Sequence, residues 1–522
     1  MTAVSEQTAS PDDSRCAAQT TRKMIRGSSL LTAGRVIAVL VNFVVQVTTV
    51  RFLLKEDYGA FAYGLSIASM GASAAVFGLG RTLSRFAPVF QEQREFGRMA
   101  GTIVLALCCV TGIGLGIVVA VFGGRGFISA TLIHDPLSLS LLLVLILLTP
   151  LKALDSIFEE MFATFAKPKS LFVRRHLVGP LLKLACVLPL IFAHSSVRLL
   201  AISYVVAGIL GTGYSIVVLW SVLKQADLLK YFRRDSIQIP AQQIFGFSVP
   251  LMSTDLLLIV RSTLVTLVLG FCHGTSSVAA FRAVLPVARL NTFAADSFRL
   301  LFSPTISRMF ARGDMSSIDH VYWRTMTWTA VATFPLFLIC VTLSDVITVT
   351  LFGSEYTDSA GILSLLAAGF YLSAIVGFNN ELLKAHGHVG RIFLTDMLTA
   401  AAAIVLNFWL IPTWGGMGGA LATVIVLLMR PIGNQITVLR LGMLKIPDWR
   451  CLRLFLLMLQ VTVIACLLPS VIGRTVTIQT GTAVAGSLVV LVAALPVLEI
   501  KDTFPELMRF PILRKFVSTN GT

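Results

Sequence analysis

Arg282, Arg289 and Asp296 recur every seven residues in a stretch that is otherwise apolar. At 1.5 Å of rise per residue this period sets them on one helical face about 21 Å long, with Arg299 one turn past Asp296. Pro286 falls between the two arginines and has no N–H for the carbonyl of Arg282, so a local kink is expected there. A guanidinium is planar and can bind two oxygens at once, which suits a phosphate better than the point charge of a lysine. The chemistry these residues offer is anion binding, of a pyrophosphate or an acidic sugar. Asp255 and Arg261, with Pro250 nearby, bring the same residue types to the preceding apolar stretch, and Pro250 and Pro286 are the hinge candidates. Nearer the N-terminus, Arg35, Asn42, Gln46 and Thr49 are spaced by seven, four and three residues and share one helical stripe, which should line water or pack on polar groups.

An ionisable residue in hydrocarbon costs a few kcal/mol or more, so these groups should face a cavity or a partner. Arg261, Arg282, Arg289, Arg35, Asn42 and Gln46 are the candidates for a cationic, substrate-binding cavity. A blander account neutralises the arginines with Asp255 and Asp296, or lets them snorkel to an interface. Asp255, Asp296 and Asp155 are the carboxylates that could couple ion movement to transport. Around Asp155, the spacing of Lys152, Asp155, Glu159 and Glu160 allows a local Lys152–Asp155 pair, and it allows Glu159 and Glu160 to reach Arg174 and Arg175. Asp396 and Lys183 are similar groups with no named partner. His386 and His388 have no third metal ligand beside them, and no nucleotide loop or Ser-His-Asp order stands out, so no catalytic residue, metal or cofactor is expected. Gly112, Gly114 and Gly116 lie inside an apolar run and are expected to permit close helix packing.

The elements that must hold these groups follow from composition. The chain has 522 residues, 56% hydrophobic and 13% charged, with a mean hydropathy of +0.85. Soluble domains carry about 25% charged residues, so this chain belongs in a bilayer. About fourteen apolar runs reach the roughly 20 residues needed to cross the hydrocarbon. The first lies near 28–52, the fourth near 137–165, the seventh near 243–271 and the eighth near 276–304. The formal charge of +16 sits mainly in the connections between these runs, so it reports topology and not nucleic-acid binding. Even-to-odd connections collect residues such as Arg81, Arg85, Arg94, Arg98, Arg308 and Arg312, whereas odd-to-even ones hold only Arg51, Lys55, Arg125, Arg198 and Arg474. By the positive-inside rule both termini are cytoplasmic. Six of the eight cysteines fall in apolar runs without metal or redox spacing and read as small hydrophobes. No cleaved signal peptide is expected in the polar first 27 residues.

The expected fold is all-α: a cytoplasmic tail at 1–27, a six-helix lobe at 28–223, a cytoplasmic linker at 224–242, a second six-helix lobe at 243–440, two extra helices at 441–500 and a cytoplasmic tail at 501–522. An offset of about 220 residues aligns Ala60-Phe61 with Ala280-Phe281 and Phe158-Glu159-Glu160 with Phe378-Asn379-Asn380. Lobes with an even number of spans would be parallel copies about an axis along the membrane normal, the arrangement that places a substrate site at the repeat interface.

Three runs carry a family resemblance: Glu56-Asp57-Tyr58-Gly59-Ala60-Phe61, followed by Gly78-Leu79 and Arg85; Leu351-Phe352-Gly353-Ser354-Glu355-Tyr356; and the segment from Asn407 to Thr423 with Gly415, Gly416, Gly418 and Gly419 in a tight turn. Over about residues 25–440 the chain resembles the Wzx-like polysaccharide flippases, which share a superfamily with the lipid II flippases and the multidrug and toxin extrusion transporters. The resemblance implies a two-lobed, V-shaped, alternating-access transporter of the bacterial plasma (inner) membrane. It would carry a polyprenyl-diphosphate-linked oligosaccharide, a polysaccharide or O-antigen precursor, to the outer leaflet, with the diphosphate held between lobes and the tail in lipid. Its partners would be that substrate, membrane lipids, and the polymerase and glycosyltransferases of the same pathway. Two added helices also occur in lipid II flippases, where they form a lipid-facing groove. Two alternatives differ in class: a multidrug efflux transporter, whose cavity should be acidic and aromatic, and a polysaccharide polymerase, which needs a sizeable external loop that this chain lacks.

Overall fold

A computed structural model describes residues 34–498 apart from 132, 134, 166–169, 171, 194–195, 226, 233–236, 445–448 and 474. The two terminal tails, and Arg233 and Arg234 of the linker, lie outside the described residues. Every regular element among the described residues is helical.

The first half runs α1 (Gly34–Phe52), α2 (Lys55–Val76), α3 (Leu79–Glu92), α4 (Phe96–Gly123), α5 (Arg125–Thr131), α6 (Pro136–Leu145) and α7 (Leu148–Thr164). A π-helical turn, Val173–Val178, leads into α8 (Gly179–Ala193), and α9 (Val197–Gln225) follows. The second half contains α10 (Ala241–Arg289), α11 (Phe293–Arg312), α12 (Met315–Thr342), α13 (Ser344–Phe352), α14 (Ser359–Val376), α15 (Asn379–Ala385), α16 (Val389–Arg440), α17 (Trp449–Ile472) and α18 (Val476–Ala494).

Among the described residues, twelve helical stretches are long and apolar enough to cross a membrane. Two of them hold two crossings each. At 52 residues α16 would run about 78 Å if it were straight, more than twice the hydrocarbon thickness, and it breaks at Gly415 (φ 53°). The stretch Ala241–Arg312 breaks likewise at Gly274 (φ 74°). Fourteen crossings result. The backbone at Gly415 is left-handed, which a residue with a Cβ adopts only under strain, so the glycine in the third signature is what lets the chain turn. Large apolar side chains such as Leu301, Phe192 and Val471 remain exposed, as expected where lipid replaces water.

The chain divides into two compact units, one comprising residues up to Leu53 with Ile67–Leu256, the other Leu54–Ser66 with everything from Leu257. In the first, Leu79, Leu83, Met99, Ile103, Ile157, Phe158 and Phe162 form the core. The segment after α9 is docked on this unit: Leu228 joins the core, Tyr231 stacks on Phe96 at 4.8 Å between centroids, and Gln238 N–H donates to the Gly97 carbonyl at 3.2 Å. In the second unit, α17 and α18 pack on α12 through Leu454, Met458, Ala483 and Val490 against Phe334, Phe337 and Leu338.

One local expectation needs correction. Of Gly112, Gly114 and Gly116, only Gly114 meets a neighbouring helix, at Pro150; the other two face open space. Pro286, where the kink is expected, lies within α10, which gives way to a 3-10 turn, Leu290–Thr292, four residues after it.

Candidate functional site

In the first unit the π-helical turn determines which basic residues point inward. Such turns widen the helix to i→i+5 bonding and recur at functional sites. Here the turn buries Arg174 and His176, each under 10% exposed, and turns Arg175 outward. Arg174 forms an ion pair with Asp155 of α7, and its Nε donates to Ser215 Oγ of α9 at 2.8 Å. Gly211 leaves the room that this guanidinium occupies. Glu159 approaches Arg175 at 3.9 Å, one of the pairs that the spacing allowed. The others differ. Glu160 accepts from Ser84 Oγ at 2.6 Å, and Lys152 donates to Ser69 Oγ at 2.7 Å instead of to Asp155. Spacing along one helix offers such pairs, but the helices packed alongside present closer partners.

On the α1 stripe, Asn42 and Gln46 are half-buried, Thr49 is buried and Arg35 is exposed. Asn42 Oδ1 accepts from Lys183 Nζ of α8 at 3.4 Å. Asp255 forms an ion pair with Arg81 of α3, so it is not the counter-ion of Arg261.

The second unit sorts its arginines by partner. Arg261 reaches Asp396 of α16 at 3.2 Å, and Arg430 of the same helix holds that carboxylate at 2.6 Å, so two guanidinium groups share one acid. Arg299 pairs with Asp296 at 3.0 Å. Arg282 is half-buried, within electrostatic range of Tyr58 and Arg289. Arg289 is exposed, with the Phe370 ring 5.9 Å from its guanidinium carbon. All three carboxylates singled out for ion coupling, Asp155, Asp255 and Asp296, therefore stand in ion pairs with arginine. Sequence reasoning did not pair Arg174 with Asp155 and did not single out Arg430. The signal for the first was three consecutive basic residues, Arg174, Arg175 and His176, inside an apolar run.

Two of the signature runs meet in this unit. Lys55 Nζ donates to both Asp358 carboxylate oxygens and to the Glu355 carbonyl, each at 2.8 Å, and lies 5.4 Å from the Tyr356 ring. Gly59 lies against the Thr275 carbonyl, and His273 is 2.8 Å from the Ile411 carbonyl beside the Gly415 turn. All of these loops are odd-to-even connections. Burial lifts the Tyr356 phenol well above its ordinary range, with Tyr58, Glu355 and Asp358 adding to the effect. Among the described residues no group of three or more His, Cys, Asp or Glu side chains could hold a metal ion, and His386 and His388 face each other with their Nδ1 atoms 2.9 Å apart.

Fourteen helical crossings with charged residues held inside the spans define a multi-pass helical membrane protein. The lipid II flippase MurJ in its inward closed conformation superposes with a TM-score of 0.66 at 14% identity, covering 92% of this chain and 99% of that one. An inward-facing multidrug resistance MATE family transporter of the MOP superfamily gives 0.63 at 12% identity, covering 77% and 95%. A family model described as polysaccharide biosynthesis protein matches residues 49–361, and the chain belongs to that family. It is also 23% identical over 156 residues to the probable low-salt glycan biosynthesis flippase Agl15 of Haloferax volcanii. That alignment covers 30% of this chain and about a third of the length of the relative.

Proposed function

We propose that the protein is a flippase that moves a polyprenyl-diphosphate-linked oligosaccharide from the cytoplasmic to the outer leaflet of a bacterial plasma membrane by alternating access. Membership of the polysaccharide biosynthesis family supports the substrate class. The observation that carries the mechanism is the difference among the cations within the spans. Arg174, Arg261 and Arg299 each have a carboxylate within 3.2 Å, whereas Arg289 has an aromatic ring and Lys183 an amide. A charge kept in a span without an acid beside it is costly unless it meets an anion for part of the working cycle. A diphosphate fits that role, because leaving water for hydrocarbon would cost it far more than leaving water for guanidinium groups.

In this mechanism Arg282 and Arg289 grip the diphosphate oxygens, and Arg35, Asn42 and Gln46 offer hydrogen bonds to the headgroup. The lipid tail stays in the bilayer. Arg261 has a smaller part, since Asp396 already engages it. Pro250 and Pro286 serve as hinges in this reading, and the charge bias of the connections supports cytoplasmic termini.

The test is delivery of a fluorescent polyprenyl-diphosphate-linked sugar to the outer leaflet of proteoliposomes. Wild-type protein should accelerate delivery, and Arg289→Ala should lower the rate about tenfold or more, a loss of at least one bidentate charged contact. Equal rates for the variant and the wild type would overturn the role of Arg289, and no acceleration by the wild type would overturn the flippase assignment.

A further inference from the structure

Glu159 differs from the other charged groups around it in how it is held. Asp155, one turn earlier on α7, is fixed by Arg174 and Ser215, and Glu160 is held by the Ser84 hydroxyl. Among the described residues Glu159 accepts no hydrogen bond, and its ionic contact is Arg175 at 3.9 Å. About a third of the Glu159 side chain and most of Arg175 are exposed. The charged groups facing Glu159 are Arg175 and Arg174 from the π-helical turn, Lys183 one helical segment further, and Asp155 and Glu160 on its own helix. Lys183 has an amide as hydrogen-bond partner. The first unit therefore holds two exposed cations, Arg175 and Lys183, and one loosely held carboxylate, 3.9 Å from Arg175 and in electrostatic range of Lys183.

We propose that Glu159 and an oxyanion of the transported headgroup compete for Arg175 and Lys183, so that the headgroup binds together with a proton on Glu159. The inference rests on the flippase reading and adds to it the sign of proton linkage. A carboxylate that exchanges a proton for a cationic substrate releases the proton when the substrate binds. With an anionic substrate the order reverses: the incoming negative charge repels the Glu159 carboxylate and favours its neutral form. The proton comes from water and no bond of the substrate changes. The oxyanion is either a linkage phosphate or the carboxylate of an acidic sugar.

Binding to purified full-length protein in nanodiscs, measured between about pH 5 and pH 8, tests this. The probes are two polyprenyl-diphosphate-linked sugars, one neutral and one carrying a uronic acid. Their diphosphate is esterified at both ends and does not titrate in that range. Wild-type affinity should be about tenfold higher at the acidic end, the size of a one-unit pKa change. Glu159→Gln should bind at every pH as the wild type does at low pH. Lys183→Gln should weaken binding throughout. A pH effect with both sugars assigns the phosphate as competitor, and an effect with the acidic sugar alone assigns its carboxylate. His176→Gln should keep the wild-type slope, since His176 is buried against Phe172. A Glu159→Gln protein that keeps the slope, or a His176→Gln protein that loses it, overturns the proposal while leaving the flippase reading intact. Absence of binding by the wild type at all pH values overturns both.

Discussion

Lys55 and Asp358, separated by 303 positions in the chain, form an ion pair at 2.8 Å that ties the first turn of α2 to the loop between α13 and α14. The ammonium also caps the Glu355 carbonyl, so one side chain satisfies three oxygens of a loop that begins at Gly353 with φ 103°.

Substituting this pair should cost little, because the Asp358 side chain is 59% exposed. Asp358→Asn is expected to lower stability by at most about 1 kcal/mol. Lys55→Ala should cost more, since it also leaves the Glu355 carbonyl without that donor. A double-mutant cycle on thermal unfolding in detergent measures the coupling, and a coupling near zero would show that the carbonyl bond alone holds the loop.

The Asp155–Arg174 pair should behave differently. Both groups are largely buried, and removing one leaves the other charge in the interior. Asp155→Ala or Arg174→Ala should destabilise the first unit by about 3–5 kcal/mol, visible as loss of monodisperse protein in size-exclusion chromatography. Arg174→Lys should not rescue it, because a lysine cannot reach Ser215 and Asp155 through separate nitrogens.

Asp135 supplies a pH-dependent contribution at the start of α6. Partial burial pushes its carboxyl up. The Ser138 hydroxyl, with the N–H groups of Ser138 and Leu137, outweighs that and holds it below its ordinary value. A group depressed in the folded state contributes stability above its unfolded pKa of about 3.9 and loses it as the pH falls through the folded value. Asp135→Ala should therefore cost about 1 kcal/mol at neutral pH, as lost helix caps do, and the difference from wild type should shrink in acid. Thermal midpoints measured across pH check this, and a gap that does not change with pH would assign the effect to packing.

Arg289 and Arg299 should separate cleanly in transport. Arg299 is engaged by Asp296, and its guanidinium lies 5.6 Å from the Phe378 ring, so Arg299→Gln should act mainly through stability. Arg289→Gln should keep the folded yield and lose flipping rate. Initial rates normalised to reconstituted protein distinguish the two, and equal losses would count against a special place for Arg289.

Sequence alone determined that this chain crosses a membrane about fourteen times, because the length and apolarity of a span are properties of a single segment. It also located the residues that do not belong in hydrocarbon, since a charge in an apolar run stands out without knowledge of its neighbours. Tertiary structure decided how those charges are partnered. Asp396, which had no named partner in the sequence, is shared by Arg261 and Arg430; Asp255 pairs with Arg81 and not with Arg261; and the π-helical turn aims Arg174 at Asp155 while leaving Glu159 loosely held. The physical reason is range. Hydrophobicity sums along the chain, whereas an ion pair needs two groups within about 4 Å, and only the packing of helices far apart in sequence brings them that close.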